Sequence, residues 1–152
     1  MVGGSGWGVE QAGSLIKDPM RVDFYEMSGR FTDPLFVAGV LVGRAWPAAS
    51  PVAIIAPRAQ LETLDDQLWH APEGRFLPHG IGQPEAPIQL LEDAPERAAI
   101  LINLDPRAPL PEGQFDRILE IVPPDETLKT KLRERWKAWK TRGADVHHHV
   151  LK

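Results

Sequence analysis

The sequence predicts an open α/β fold. Two observations carry this. Segments with strand and helix character follow one another as strand, helix, strand, helix, strands, helix, which is the order of an α/β sheet. The short runs Val52-Ala53-Ile54-Ile55-Ala56 and 98–104 (AAILINL) are continuously apolar, as buried parallel strands are, rather than alternating.

Residues 21–27 place Val22, Phe24 and, weakly, Tyr25 among polar neighbours and read as the first strand. Thr32 or Asp33 caps the first helix, with Pro34 in its first turn. That helix covers residues 35–46, is apolar on most faces, and stops at Pro47. The second strand lies between Pro51 and Pro57. In the helix at 59–70, Leu61, Leu64 and Leu68 follow the helical period and Asp65 and Asp66 face outward. Residues 71–87 read as loop. Strands follow at 88–91, 98–104 and 117–122 (RILEIV), with a turn-rich loop at 106–114. Pro123-Pro124 opens a terminal helix over 124–143. Residues 1–19 are glycine-rich without periodicity and read as a disordered leader, leaving 20–152 as one domain. Met20 behaves like a domain start and is a candidate translation start, which the mass of the native protein tests.

With 152 residues, 43% hydrophobic and 25% charged, the chain has the makeup of a single soluble globular domain. It has no cysteine, which excludes disulfides, thiol nucleophiles and Cys-based zinc sites and fits a reducing cytosol. No apolar run approaches the roughly 20 residues of a membrane span, and the start lacks the pattern of a signal peptide. A net charge of −4 argues against non-specific nucleic-acid binding by the whole protein.

The fold class invites nucleotides, but the motifs are missing. The turn after the first strand, Ser28 to Pro34, holds one glycine where a dinucleotide site needs G-x-G-x-x-G, and no phosphate loop with its lysine occurs. The reading is a Rossmann-like, three-layer α/β/α domain without a phosphate-binding loop, a scaffold rather than an enzyme. His147, His148 and His149 suggest metal, yet adjacent histidines on a short tail enforce no coordination geometry; a solvated tail is favoured, and neither metal nor cofactor is expected. His79 lies in a loop without a serine nearby, and Asp23 and Glu26 sit on a strand with no evident partner, so no catalytic residue is assigned. Trp69 and Phe76 flank a surface loop. From the residues alone they fit core packing and protein-binding anchors equally.

The terminal helix is the strongest signal. It carries seven cations (Lys129, Lys131, Arg133, Arg135, Lys137, Lys140, Arg142) against three acids (Asp125, Glu126, Glu134), in a chain that is otherwise acidic. At about 100° per residue with Lys129 as origin, Arg133, Lys137 and Lys140 fall within about 80° on one side and Trp136 about 20° to the other. Leu128, Leu132 and Trp139 cluster at about 260–300°. The helix therefore has a core edge and a basic stripe, with Trp136 at the border. Its lysine stems fit a solvated face. The stripe also fits an anion joined to an apolar group, either a phosphate backbone with stacked bases or an acidic peptide with a hydrophobic end. Charge alone does not separate these.

R-V-D-F-Y at 21–25, L-x-x-x-L-W at 64–69, F-L-P-H-G at 76–80, I-L-I-N-L at 100–104 and V-P-x-x-x-x-L-K-x-x-x-R-E-R-W-K-A-W-K at 122–140 resemble the chi subunit family of bacterial DNA polymerase III holoenzyme, over 20–143 in order. The resemblance implies a non-catalytic accessory subunit, cytoplasmic and at the replication fork, within a nucleotidyltransferase holoenzyme. It implies binding of the acidic C-terminal tail of the single-stranded-DNA-binding protein, which ends in an aromatic residue with a free carboxylate. The corresponding residues here are Val122, Lys129, Arg133, Trp136, Lys137 and Lys140. Where the family often has arginine, Lys140 lacks bidentate geometry. Trp69 and Phe76 match the side that meets the psi subunit or another clamp-loader segment, and a helicase-like protein. DNA would be met only indirectly. The alternatives are a nucleotide-binding or hydrolytic enzyme on the same fold, and direct single-stranded DNA binding with Trp136 and Trp139 stacking bases.

Overall fold

The computed structural model describes residues 19–70 and 77–151. All but Pro19 of the expected leader lies outside the described residues, and so does Phe76. Strand β1 (Arg21–Met27) leads to helix α1 (Pro34–Ala45), strand β2 (Val52–Ile55) and helix α2 (Arg58–Trp69). Strands β3 (His79–Ile81), β4 (Ile88–Leu91), β5 (Arg97–Asn103) and β6 (Gln114–Val122) follow, then helix α3 (Glu126–Thr141) and strand β7 (Asp145–Leu151). The seven strands form one sheet in the order β3-β4-β2-β5-β6-β1-β7, every pairing parallel.

Helices cover both faces, as the α/β/α reading expects. On one face α1 and α2 seat Val37, Ala38, Val42, Leu61, Leu64 and Leu68 against Ile54, Ile102, Leu119 and Ile121. On the other, α3 seats Leu132 and Trp139 against Val22, Phe24, Ile118 and Val122. Alternation along each strand divides these sets: Ala53 and Ile55 point to the α3 face and Ile54 away from it. Asp33 caps α1 by accepting a hydrogen bond from the Leu35 N–H at 3.0 Å, with Pro34 following.

Two elements depart from the expectation. The loop at 71–87 contains the short strand β3, and the histidine tail is the edge strand β7, paired with β1 from Arg21↔Asp145 to Met27↔Leu151. The solvated-tail reading is thereby corrected. His147, His148 and His149 lie with Nε2 3.0, 2.8 and 2.7 Å from carboxylate oxygens of Asp145, Glu26 and Asp23. Asp23 and Glu26, without evident partners in sequence, find them here. Asp23 is fully buried and also accepts from Arg21 and Arg117.

Candidate functional site

Helix α3 is held from both ends and from beneath. At its start the Asp125 carboxylate accepts from the Thr127 N–H at 2.9 Å and its hydroxyl at 2.7 Å. These bonds hold the Asp125 carboxyl below its ordinary value, keeping an anion at the positive end of the helix. The cap falls one residue after Pro124, so the helix starts slightly later than Pro123-Pro124 suggests. At its end Gly143 takes φ +85°, its N–H donates to Lys140 O, and Ala144 N–H donates to Trp139 O. This is a Schellman stop, which needs a residue free to adopt the left-handed region, and it turns the chain directly into β7.

Beneath the helix, Glu120 of β6 is fully buried and surrounded by donors. Arg135 Nη2 lies 2.9 Å and Trp139 Nε1 2.9 Å from one carboxylate oxygen, and Asn103 Nδ2 lies 2.7 Å from the other. Arg135 also donates to the Ala108 carbonyl, tying the loop before β6 to the same helix. Arg135, counted among the seven cations of the helix, thus serves as an anchor rather than a surface charge. Sequence reasoning missed this pair, although two signals were present. Glu120 interrupts an apolar strand, and Arg135 sits three residues after Leu132 and four before Trp139, on the core edge.

The basic stripe borders a groove of about 470 Å³ lined by Phe24, Glu26, Val122, Lys129, Leu132, Arg133, Trp136 and His148. Its position follows from topology. β1 and β6 are neighbours, yet α1 leaves β1 to one face and α3 leaves β6 to the other. The crevice beyond their carboxyl ends is where open α/β sheets bind ligands. Trp136 stands in its wall, its ring 5.2 Å from that of Phe24 and 6.2 Å edge-on from that of His148. Lys129 reaches Glu126 at 3.0 Å, an exposed pair that holds it weakly. Among the described residues no acid pairs with Arg133. The groove can therefore offer cationic donors next to an apolar slot, the combination that holds a carboxylate beside a ring.

Four of the six residues expected in one site, Val122, Lys129, Arg133 and Trp136, line this groove. Lys137 and Lys140 are exposed outside its lining, with the Lys140 ammonium 5.2 Å from the Trp136 ring centre. Trp139 is buried and bonded to Glu120, so it cannot stack a base.

Trp69 lies at the opposite edge of the sheet, at the end of α2, 61% exposed and with its ring 4.8 Å from that of His79. The side chain of His79, on β3, is shielded from solvent. Its Nδ1 donates to Leu77 O at 2.6 Å, and its Nε2 lies 3.1 Å from an Asp65 oxygen without hydrogen-bond alignment. Asp65 thus turns toward β3 rather than fully outward. Among the described residues no cluster of three or more His, Asp or Glu side chains is arranged to hold a metal ion, and no helix is long and apolar enough to cross a membrane.

The family described as DNA polymerase III chi subunit, HolC, matches residues 20–147. The chain is 32% identical to the DNA polymerase III subunit chi of Pseudomonas aeruginosa, over 86% of its own length and 96% of that protein's. It is 30% identical to the Haemophilus influenzae subunit over 70% of this chain and 80% of that one. Against the Escherichia coli subunit the identity is 26%, over 70% and 78%. The chain belongs to the DNA polymerase III chi subunit family.

Proposed function

We propose that this chain is the non-catalytic adaptor of its polymerase, binding the acidic C-terminal tail of the single-stranded-DNA-binding protein and linking it to the clamp loader. Membership of the chi family makes it a DNA polymerase III subunit acting in DNA replication. The observation that carries the finer reading is the groove. Arg133 and Lys129 stand beside an apolar slot formed by Val122, Phe24 and Trp136. A tail ending in an aromatic residue with a free carboxylate would set its ring in the slot and its carboxylate on the cations. Lys137 and Lys140, outside the lining, would attract the acidic residues upstream of that terminus at longer range. Trp69 and, by the family resemblance, Phe76 would bind the psi subunit or another clamp-loader segment. Such a bridge concentrates the polymerase on coated single strands in the cytoplasm without a tight contact at either end.

Direct single-stranded DNA binding is less well supported. With Trp139 buried, Trp136 alone remains for stacking, and base runs are held by successive aromatic platforms. Calorimetric titration with a tail peptide tests the reading. Arg133→Glu and Trp136→Ala should each weaken binding about tenfold or more with the fold intact. Removing the terminal carboxylate should have an effect of similar size. Unchanged affinity in all three titrations sinks the assignment of the groove.

A further inference from the structure

A groove that attracts anions through Lys129 and Arg133 also contains an anion of its own. Glu26, near the end of β1, lines the same crevice, and its partner is the Nε2 of His148 at 2.8 Å. His148 lies opposite Phe24 in the β1–β7 register, is half exposed, and meets the Trp136 ring edge-on. It thus touches both the acid of the groove and its aromatic wall.

We propose that His148 and Glu26 form a proton-linked gate in this groove, which sets the affinity for an acidic peptide according to whether the imidazole carries one proton or two. The inference rests on the reading of the groove as an acidic-peptide site. With a single proton on Nε2, His148 donates to Glu26 but adds no charge, and the Glu26 anion opposes an incoming carboxylate. A second proton on Nδ1 makes the imidazolium, which cancels Glu26 and leaves Lys129 and Arg133 unopposed. Occupation of the groove excludes water and strengthens these charge interactions. The peptide therefore favours the doubly protonated imidazole, and by linkage its binding takes up a proton.

The other charged groups around His148 do not supply the same response. Lys129, Arg133 and Lys140 come from α3. Carboxylate, ammonium and guanidinium groups ordinarily hold one charge state across neutral and mildly acidic pH, whereas imidazole does not. The neighbouring His147 is engaged by Asp145, and His149 by Asp23 on the other face of the sheet.

The test is calorimetry on the full chain with an acidic peptide ending in an aromatic residue and a free carboxylate, at about pH 6 and about pH 8 and constant ionic strength. The parent protein should bind about fivefold tighter at the lower pH, the size of one partly exposed charge pair. Glu26→Gln removes the opposing anion and should bind tighter than the parent at the higher pH. His148→Gln keeps a neutral donor toward Glu26 and should show the weaker affinity at both values. His148→Ala should be weaker still, with its fold checked by circular dichroism. If Arg133→Glu leaves the parent affinity untouched, the groove is not the peptide site and the gate falls with it. If Arg133→Glu abolishes binding while the parent and His148→Gln respond identically to pH, the groove stands and the gate alone is overturned.

Discussion

Asp23 shows what a buried carboxylate requires. Burial alone would raise its value, but hydrogen bonds from Arg21, Arg117 and His149 outweigh it and hold the carboxyl well below the usual carboxylate range. A group depressed in the folded state stabilises the protein above its unfolded value and loses that contribution as pH falls through the folded one. Stability should therefore decline from about pH 4 downward. Asp23→Asn should cost about 2 kcal/mol at neutral pH, the scale of hydrogen bonds to a charged group, and the difference from the parent should shrink in acid. Urea unfolding at several pH values measures both. Only Arg21, two positions away on the same face of the strand, is legible in residues 21–27; Arg117 and His149 lie 94 and 126 positions away. An acid at an inward position of a strand signals that a partner exists without saying which.

Helix α3 was the most legible element and still held a surprise. Its apolar edge, its border tryptophan and its basic stripe all follow from a wheel, and Leu132 and Trp139 are buried as that wheel expects. The same wheel puts Arg135 at about 240°, beside Trp139. One of the seven cations of the helix is in fact its anchor. Arg135→Ala leaves Glu120 buried with fewer donors and should cost about 3 kcal/mol, read from the urea midpoint. Replacing the pair together, as Glu120→Gln with Arg135→Met, should recover part of that loss. β2 and β5 were readable because a strand buried on both faces needs a continuous apolar run. β3 and β7 were not. β3 has three residues, and β7 is a half-exposed edge whose pairing with β1 is wholly non-local.

At the scale of the whole molecule, the sheet separates two surfaces. The groove sits toward the β1–β7 edge, and Trp69 sits at the end of α2 beside β3, on the opposite edge. Changes at sites this far apart should act independently. Trp69→Ala should keep the affinity for a tail peptide in calorimetry while losing the clamp-loader partner in a pull-down with purified subunits. Loss of both together overturns the two-surface arrangement. The order of segments gave the layers and the sheet class, but not the neighbour relation of β1 with β6, which places the crevice. That relation depends on which way each helix crosses, and local sequence does not record it. Crossing has a further consequence. The groove joins Glu26 to His148, 122 positions apart, with α3 between them. During synthesis its first wall is made early and its last wall only after the final helix has folded back across the sheet. A chain that stops before β7 lacks one wall of the groove, so on the proposed reading peptide binding requires the completed fold.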